Sequence, residues 1–287
     1  MRLLRLKTVL IAIDLDETGS GALRTAEMVA EAAGAALHVV HVSNSGDESG
    51  TVTELHATLR RTGLAIDEAA THVVAGEPSH AINLLADRIG ADVIVLGPHR
   101  RRDATGLGST ALAVVTNAAV PCLVARSLLR LPLQRTVVAV DLSDTARGAL
   151  VVALSWASAL RARHPGAETA TTLTALRVHP SARSTEAESV GSGELDEQLN
   201  RVRKEAGVWA GIDVEGAATI NESPATGIAE YAREHRADLV VLGTRGLGVD
   251  AIGRLGSVSA AVMQRLDVPA LLVPPAVWTA HASSQAK

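Results

Sequence analysis

The chain is written twice, and no other feature of its 287 residues constrains the fold as tightly. TVLIAIDL at 8–15 returns as TVVAVDL at 136–142, and ADVIVLG at 91–97 returns as ADLVVLG at 237–243. GSTALAVVTNAAVPCLVA at 108–125 returns as GSVSAAVMQRLDVPALLV at 256–273. The spacing between equivalents grows from 127 (Asp14 to Asp141) to 146 (Gly97 to Gly243) and then 148 (Pro121 to Pro269). Growth in steps means insertions in loops between fixed elements, as in a duplicated domain; a stack of short repeats would keep a tighter period. The join falls near residues 127–134, SLLRLPLQ, which places one domain at 1–130 and a second at 134–278.

Within each half, strand and helix signals alternate. Short β-branched runs at 8–13, 36–42, 72–75, 92–96 and 120–124 are bounded by Gly, Pro, Asp and Ser. Between the first two, Leu23, Ala26, Val29, Ala30 and Ala33 recur at helical spacing, with Gly34 as a stop. The counterpart of that helix is 148–162, and further helices are expected after Pro78 and after Pro224. The polar stretches 44–60 and 181–207 read as loops leading into surface helices. Strands apolar throughout and separated by helices imply a parallel sheet covered on both faces. The expected fold is therefore α/β: two tandem doubly wound domains, each a five-stranded, mostly parallel sheet with helices on both faces.

Composition removes several classes of function. The chain is 47% hydrophobic and 20% charged, which suits an ordinary core and argues against disorder. Aromatic residues make up 1%, as Trp156, Trp209, Trp278 and Tyr231, too few for base-stacking platforms. A formal charge of -4 supplies no field for nucleic acid or an anionic membrane. Cys122 is alone, which excludes an internal disulfide and any multi-cysteine zinc site, and in an apolar strand it reads as a core residue. Arg2, Arg5 and Lys7 interrupt the first apolar stretch, which is expected to run into a strand and not to form a leader. No apolar run approaches the ~18 residues of a membrane span, so a cytoplasmic protein is expected.

In open parallel sheets, ligands sit beyond the carboxyl ends of the strands. In the second half those ends carry Asp141, Val178 and the run Gly243-Thr-Arg-Gly246, with Gly256-Ser257 after nine intervening residues. Gly246 permits a turn of positive φ, and Gly256-Ser257 opens a helix whose free amides favour a phosphate. The same glycines also suit a purely structural strand–loop–helix connection. Arg245 and Arg254 are either phosphate partners or solvated loop residues. Asp141 either caps the following helix, with Ser143, or accepts ribose hydroxyls or holds Mg²⁺ through water. Val178 offers only its backbone N–H and C=O, groups suited to an adenine edge.

An Asp at the end of the first strand followed by G-x2-G-x9-G-[ST] after the fourth resembles the universal stress protein family. Gly243, Gly246, Gly256 and Ser257 match that pattern without a gap, and VPALLVPP is similar to its closing strand. The resemblance covers each half in turn and implies a tandem member that binds ATP, ADP or AMP with Mg²⁺. It implies that Asp141, flanked by Val140 and Leu142, meets the ribose or the metal and that Val178 meets the adenine. Gly243, Gly246, Gly256, Ser257 and Val258, with Arg254, would then hold the phosphates. Single-domain relatives pair through their last strands, so VPCLVA and VPALLV are expected to join the halves as an intrachain pseudo-dimer. A further homodimer and protein partners stay open.

The first half departs from the pattern. Asp14, Val42, Gly97, Gly108 and Ser109 are kept, but Arg100 stands where the second glycine would be and the loop is two residues shorter. A Cβ at a positive-φ position costs about 1 kcal/mol or more. This half is expected to bind ATP weakly or not at all.

Other signals carry less. Residues 246–251 fit G-x-G-x-x-A but follow the fourth strand instead of the first, and no G-x4-G-K-[ST] exists. His38 and His41 lie three apart on one strand and face opposite sides. No lysine or evident base stands near the second-half cluster, so the expectation is a nucleotide-dependent stress regulator and not an enzyme. A slow ATPase and a nucleotide-independent interaction module are the alternatives.

Overall fold

The computed structural model describes residues 6–15, 20–43, 48–63, 70–97, 107–141, 143–161, 170–179, 193, 195–201, 211–245 and 254–277. In the first half, β1 (Thr8–Ala12), α1 (Ser20–Ala33), β2 (Ala36–Ser43), α2 (Glu48–Thr62) and β3 (Thr71–Ala75) come first. They are followed by α3 (Pro78–Ile89), β4 (Val93–Leu96), α4 (Ser109–Asn117) and β5 (Cys122–Val124). The second half repeats the order with β6 (Arg135–Ala139), α5 (Asp144–Arg161), β7 (Thr171–His179), a helical stretch α6 over 195–201 and β8 (Ile212–Ile220). It closes with α7 (Pro224–Glu234), β9 (Leu239–Gly243), α8 (Ser257–Arg265) and β10 (Ala270–Val273).

All ten strands form one sheet, in the order β3-β2-β1-β4-β5-β10-β9-β6-β7-β8. Within each half every pairing is parallel. The halves meet where β5 and β10 run antiparallel, with Cys122, Leu123 and Val124 opposite Leu272, Leu271 and Ala270. Both strands expected to join the halves are thus central strands of a larger sheet, which removes two apolar edges.

The core follows the sheet and not the repeat. One apolar layer, on the face of α1, α2, α5 and α6, runs from Leu23 and Leu55 through Leu123 and Leu271 to Leu150 and Leu199. The opposite layer, under α3, α4, α7 and α8, runs from Leu85 and Val114 to Ile228 and Met263. Cys122 belongs to this second layer, and burial pushes its thiol up to about 12, as befits an inert core residue.

Local chemistry ends the elements where the sequence places them. Gly34 and Gly90 stop α1 and α3 at φ 67° and 63°, a region that disfavours a Cβ. Glu77 caps α3 by accepting from Ser79 N and His80 N, and Ser223 caps α7 by accepting from Thr226 N. The Ala-Asp of the repeated ADxxVLG has a structural role. Asp92 Oδ2 accepts from Lys7 N and Thr8 N, and Asp238 Oδ2 accepts from Gln134 N and Arg135 N. Each carboxylate therefore ties the start of the central strand to its neighbour.

A core continuous across the seam predicts one cooperative transition. All four aromatic residues lie in the second half, so intrinsic fluorescence reports that half alone, whereas far-UV circular dichroism reports both. Their denaturation midpoints are expected to coincide. The Leu271→Ala variant should lower both midpoints together, with a loss of stability of about 2–5 kcal/mol. Separate midpoints would mean that each half folds on its own core.

Candidate functional site

The chain leaves β6 in one direction, toward β7 and β8, and returns to its other side through β9 and β10. That reversal opens a crevice over the carboxyl ends of β6, β7 and β9. The crevice has a volume of about 320 Å³, within the range of small-molecule sites. Ala139, Leu176, Pro224, Ile228 and Leu242 supply apolar wall, and Asp141, Arg245 and Ser257 supply polar groups.

Asp141 follows β6 and is exposed. Its Oδ1 accepts from Ser143 N at 3.0 Å, and Ser143 Oγ accepts from Ala146 N at 3.1 Å. Ser143 is thus the side chain that caps α5, and Asp141 braces the turn leading into it. Val140 is buried beside Asp141, its N–H donating to Leu176 O at 2.9 Å.

β7 outruns β6. Ala139 stands opposite Leu176, where β6 ends, while β7 continues to His179 against β8. Along a parallel strand, alternate residues turn their amide groups to alternate sides. Leu176 O accepts from Val140 N on the β6 side, and His179 O accepts from Asn221 N on the β8 side. The N–H and C=O of Val178 therefore face the β6 side above the end of that strand, at the crevice wall.

At the opposite wall, Gly243 closes β9 and its carbonyl accepts from Ser259 Oγ at 2.6 Å. Gly256 N donates to Thr244 O at 2.8 Å, which folds the start of α8 back over the strand end. Gly256 is the N-cap residue of α8, and no side chain caps that terminus. The first-turn amides of an α-helix have no partner within the helix, and its dipole leaves positive charge there. Ser257 and Val258 stand exposed on this turn, Val258 at 41%.

The structure thus brings together Val140, Asp141, Val178, Gly243, Gly256, Ser257 and Val258 around one crevice. Arg254 is exposed on the approach to α8, and Arg177 and Arg245 are the arginines among the described residues that line the crevice. Leu142, Gly246, Arg100 and the run 246–251 lie outside the described residues. In the first half, Asp14 is exposed and Gly108 begins α4 with no side-chain cap, as in the second half. The sequence reading missed the apolar wall. Its signal was present in Ala225, Ile228, Ala229 and Ala232, which recur at helical spacing along α7.

The discounted signals have local roles. Asn221 and Ser223 of the sequon shape the entry to α7, Asn221 Oδ1 accepting from Ser223 N and its Nδ2 donating to Glu230 Oε2. His41 Nδ1 lies 3.0 Å from Ile13 O, and His38 instead pairs with His72 on the next strand, Nδ1 to Nε2 at 3.0 Å. Burial, then the neighbouring His38 and Arg88, pushes the pKa of His72 down. Among the described residues no three His, Cys, Asp or Glu side chains form a metal-binding group. No helix among them is long and apolar enough to cross a membrane.

A doubled open sheet with a ligand-sized crevice at a topological switch point defines the class of protein. Within it, the chain belongs to the universal stress protein family, whose pattern matches residues 5–126 and again 132–274, as tandem domains. A universal stress protein of Thermus aquaticus is 40% identical over 77 residues, 27% of this chain and 56% of that relative. The chain thus spans little more than half the length of this curated relative. A universal stress protein structure from Archaeoglobus fulgidus DSM 4304 shares the fold at 19% identity and a TM-score of 0.64, covering 94% of this chain and 99% of its own. A universal stress protein from Archaeoglobus fulgidus, solved in complex with dAMP, covers 42% of this chain and 98% of its own at 24% identity and a TM-score of 0.34.

The Ser259 hydroxyl ties α8 to the end of β9 across the crevice wall. The Ser259→Ala variant is expected to lose about 1 kcal/mol of stability in chemical denaturation. An unchanged midpoint would show that this bond holds nothing in place.

Proposed function

We propose that the protein is an adenine-nucleotide-binding regulator of a stress response, with its ligand (ATP, ADP or AMP) held in the second half. The observation that carries this reading is the uncapped N-terminus of α8, which opens into the crevice with Ser257 and Val258 exposed. Free amides and the positive end of a helix dipole are what a phosphate chain needs. On this reading Gly243, Gly246, Gly256, Ser257 and Val258 surround the phosphates, with Arg254 beside them. The N–H and C=O of Val178 pair with the adenine edge. Asp141, between Val140 and Leu142, accepts the ribose hydroxyls or holds Mg²⁺ through water, and the metal would offset phosphate charge.

The residues present fit such a ligand: a carboxylate, free amides and an apolar wall converge on one cavity. No lysine lines the crevice among the described residues; Arg177, Arg245 and His179 do, so any phosphoryl transfer would rest on arginine cations and that imidazole and is expected to be slow. Occupancy would instead place a charged ligand over Gly243 and the start of α8 and change the surface presented to protein partners. We propose the two domains as 1–130, with the altered motif and weak or no binding, and 134–278, with the intact motif, in a cytoplasmic protein.

A charge test separates binding from folding. Ser257 is exposed at the first position of α8, where an acidic side chain suits the helix dipole. The Ser257→Glu variant is expected to keep or slightly raise its melting temperature. Its ATP affinity in calorimetry should fall by about a hundredfold, because a carboxylate would stand among the phosphates. Unchanged affinity would contradict the proposed site.

A further inference from the structure

Gly227 occupies an unusual place in α7. It is buried within the helix, its N–H donates to Ser223 O at 3.0 Å, and its φ is not positive. Glycine is a poor helix former, so a residue with no need of left-handed backbone calls for another reason at this position. The reason is space. A Cβ at Gly227 would stand 2.9 Å from Val178 Cγ1, 3.0 Å from Asn221 Cβ and 3.3 Å from Val178 Cγ2. Carbon atoms do not pack at the first of these distances, so either the helix or the strand end would have to shift.

Val178 has little freedom to give way. Its side chain is β-branched and stiff at χ1, and its backbone is registered opposite Thr219 of β8. Pro224 and Ile228, which flank Gly227 on the same helix, line the crevice together with Val178. The start of α7 therefore rests directly on the strand end that forms one crevice wall. The first half differs here. With the helix-starting Pro78 and Pro224 aligned, Ala81 stands where the second half has Gly227.

We infer that Gly227 is a positioning residue for base recognition: its missing side chain lets α7 seat Val178 where that residue's N–H and C=O meet the donor–acceptor edge of adenine. The inference rests on the proposed nucleotide site and assigns it a further determinant, outside the glycine loop and remote from the phosphates. The nearest atoms to a Cβ at 227 belong to Val178 and Asn221, and none of them to α8, so the effect is expected on ligands that carry a base.

The test compares wild type with Gly227→Ala, Val178→Ala and the double variant, using AMP, ATP and tripolyphosphate in calorimetric titration. Gly227→Ala is expected to weaken AMP and ATP about tenfold, the worth of roughly one hydrogen bond, and to leave tripolyphosphate unchanged. Val178→Ala keeps the backbone and removes the two methyl groups that a new Cβ would strike, leaving the Asn221 Cβ at 3.0 Å as its one remaining tight neighbour. The double variant should therefore recover AMP affinity to within about threefold of wild type. Melting temperatures of all four proteins establish that each is folded. Wild-type affinity in Gly227→Ala, a parallel loss of tripolyphosphate, or no recovery in the double variant would overturn the role of Gly227 and leave the nucleotide site standing. If the wild type binds none of the adenine nucleotides, the site reading fails, and this inference fails with it.

Discussion

Where β5 meets β10, Cys122, Leu123 and Val124 lie opposite Leu272, Leu271 and Ala270 in antiparallel register, and every one of the six side chains is buried. Two five-stranded sheets become one of ten strands at this seam, and both apolar layers run across it. Leu123 and Leu271 are fully excluded from water, and burying a leucine is worth about 1.5–3 kcal/mol. Without the seam, each half would end in a short apolar edge strand open to another chain. The joined sheet also sets the frame for the crevice, because β9, whose end carries Gly243, is held between β6 and β10.

Much of this architecture is legible in the residues, for a definite physical reason. Parallel strands buried on both faces read as unbroken apolar runs, and VIVL and LVVL are such runs. The stepwise offset of the repeat shows that the elements are fixed and the loops are not. What the sequence could not yield depends on cross-strand register. The repeated Ala-Asp before β4 and β9 is visible as a pattern. That Asp92 and Asp238 bind the backbone at the start of β1 and β6 requires knowing which strands lie side by side. The His38–His72 pair is hidden for the same reason, since its members stand on β2 and β3.

The crevice was legible in part. Residues matching a spaced motif, Asp141, Gly243, Gly256 and Ser257, gather where a strand-end site should be. The apolar wall of Pro224 and Ile228, and the close approach of Gly227 to Val178, follow from how α7 lies on the sheet. No motif spacing encodes that approach. Duplication then offers an internal comparison. Both halves start their last helix from an uncapped glycine, Gly108 and Gly256. They differ in the glycine replaced by Arg100, in loop length, and in Ala81 against Gly227. On the proposed reading, one copy retained a ligand site and the other retained the fold that completes the sheet.

That asymmetry is best tested by calorimetric titration of the nucleotide-stripped protein with ATP and Mg²⁺, read for stoichiometry. The proposal predicts one site per chain. Two equal sites would contradict the division between halves, and no binding would contradict the nucleotide reading itself.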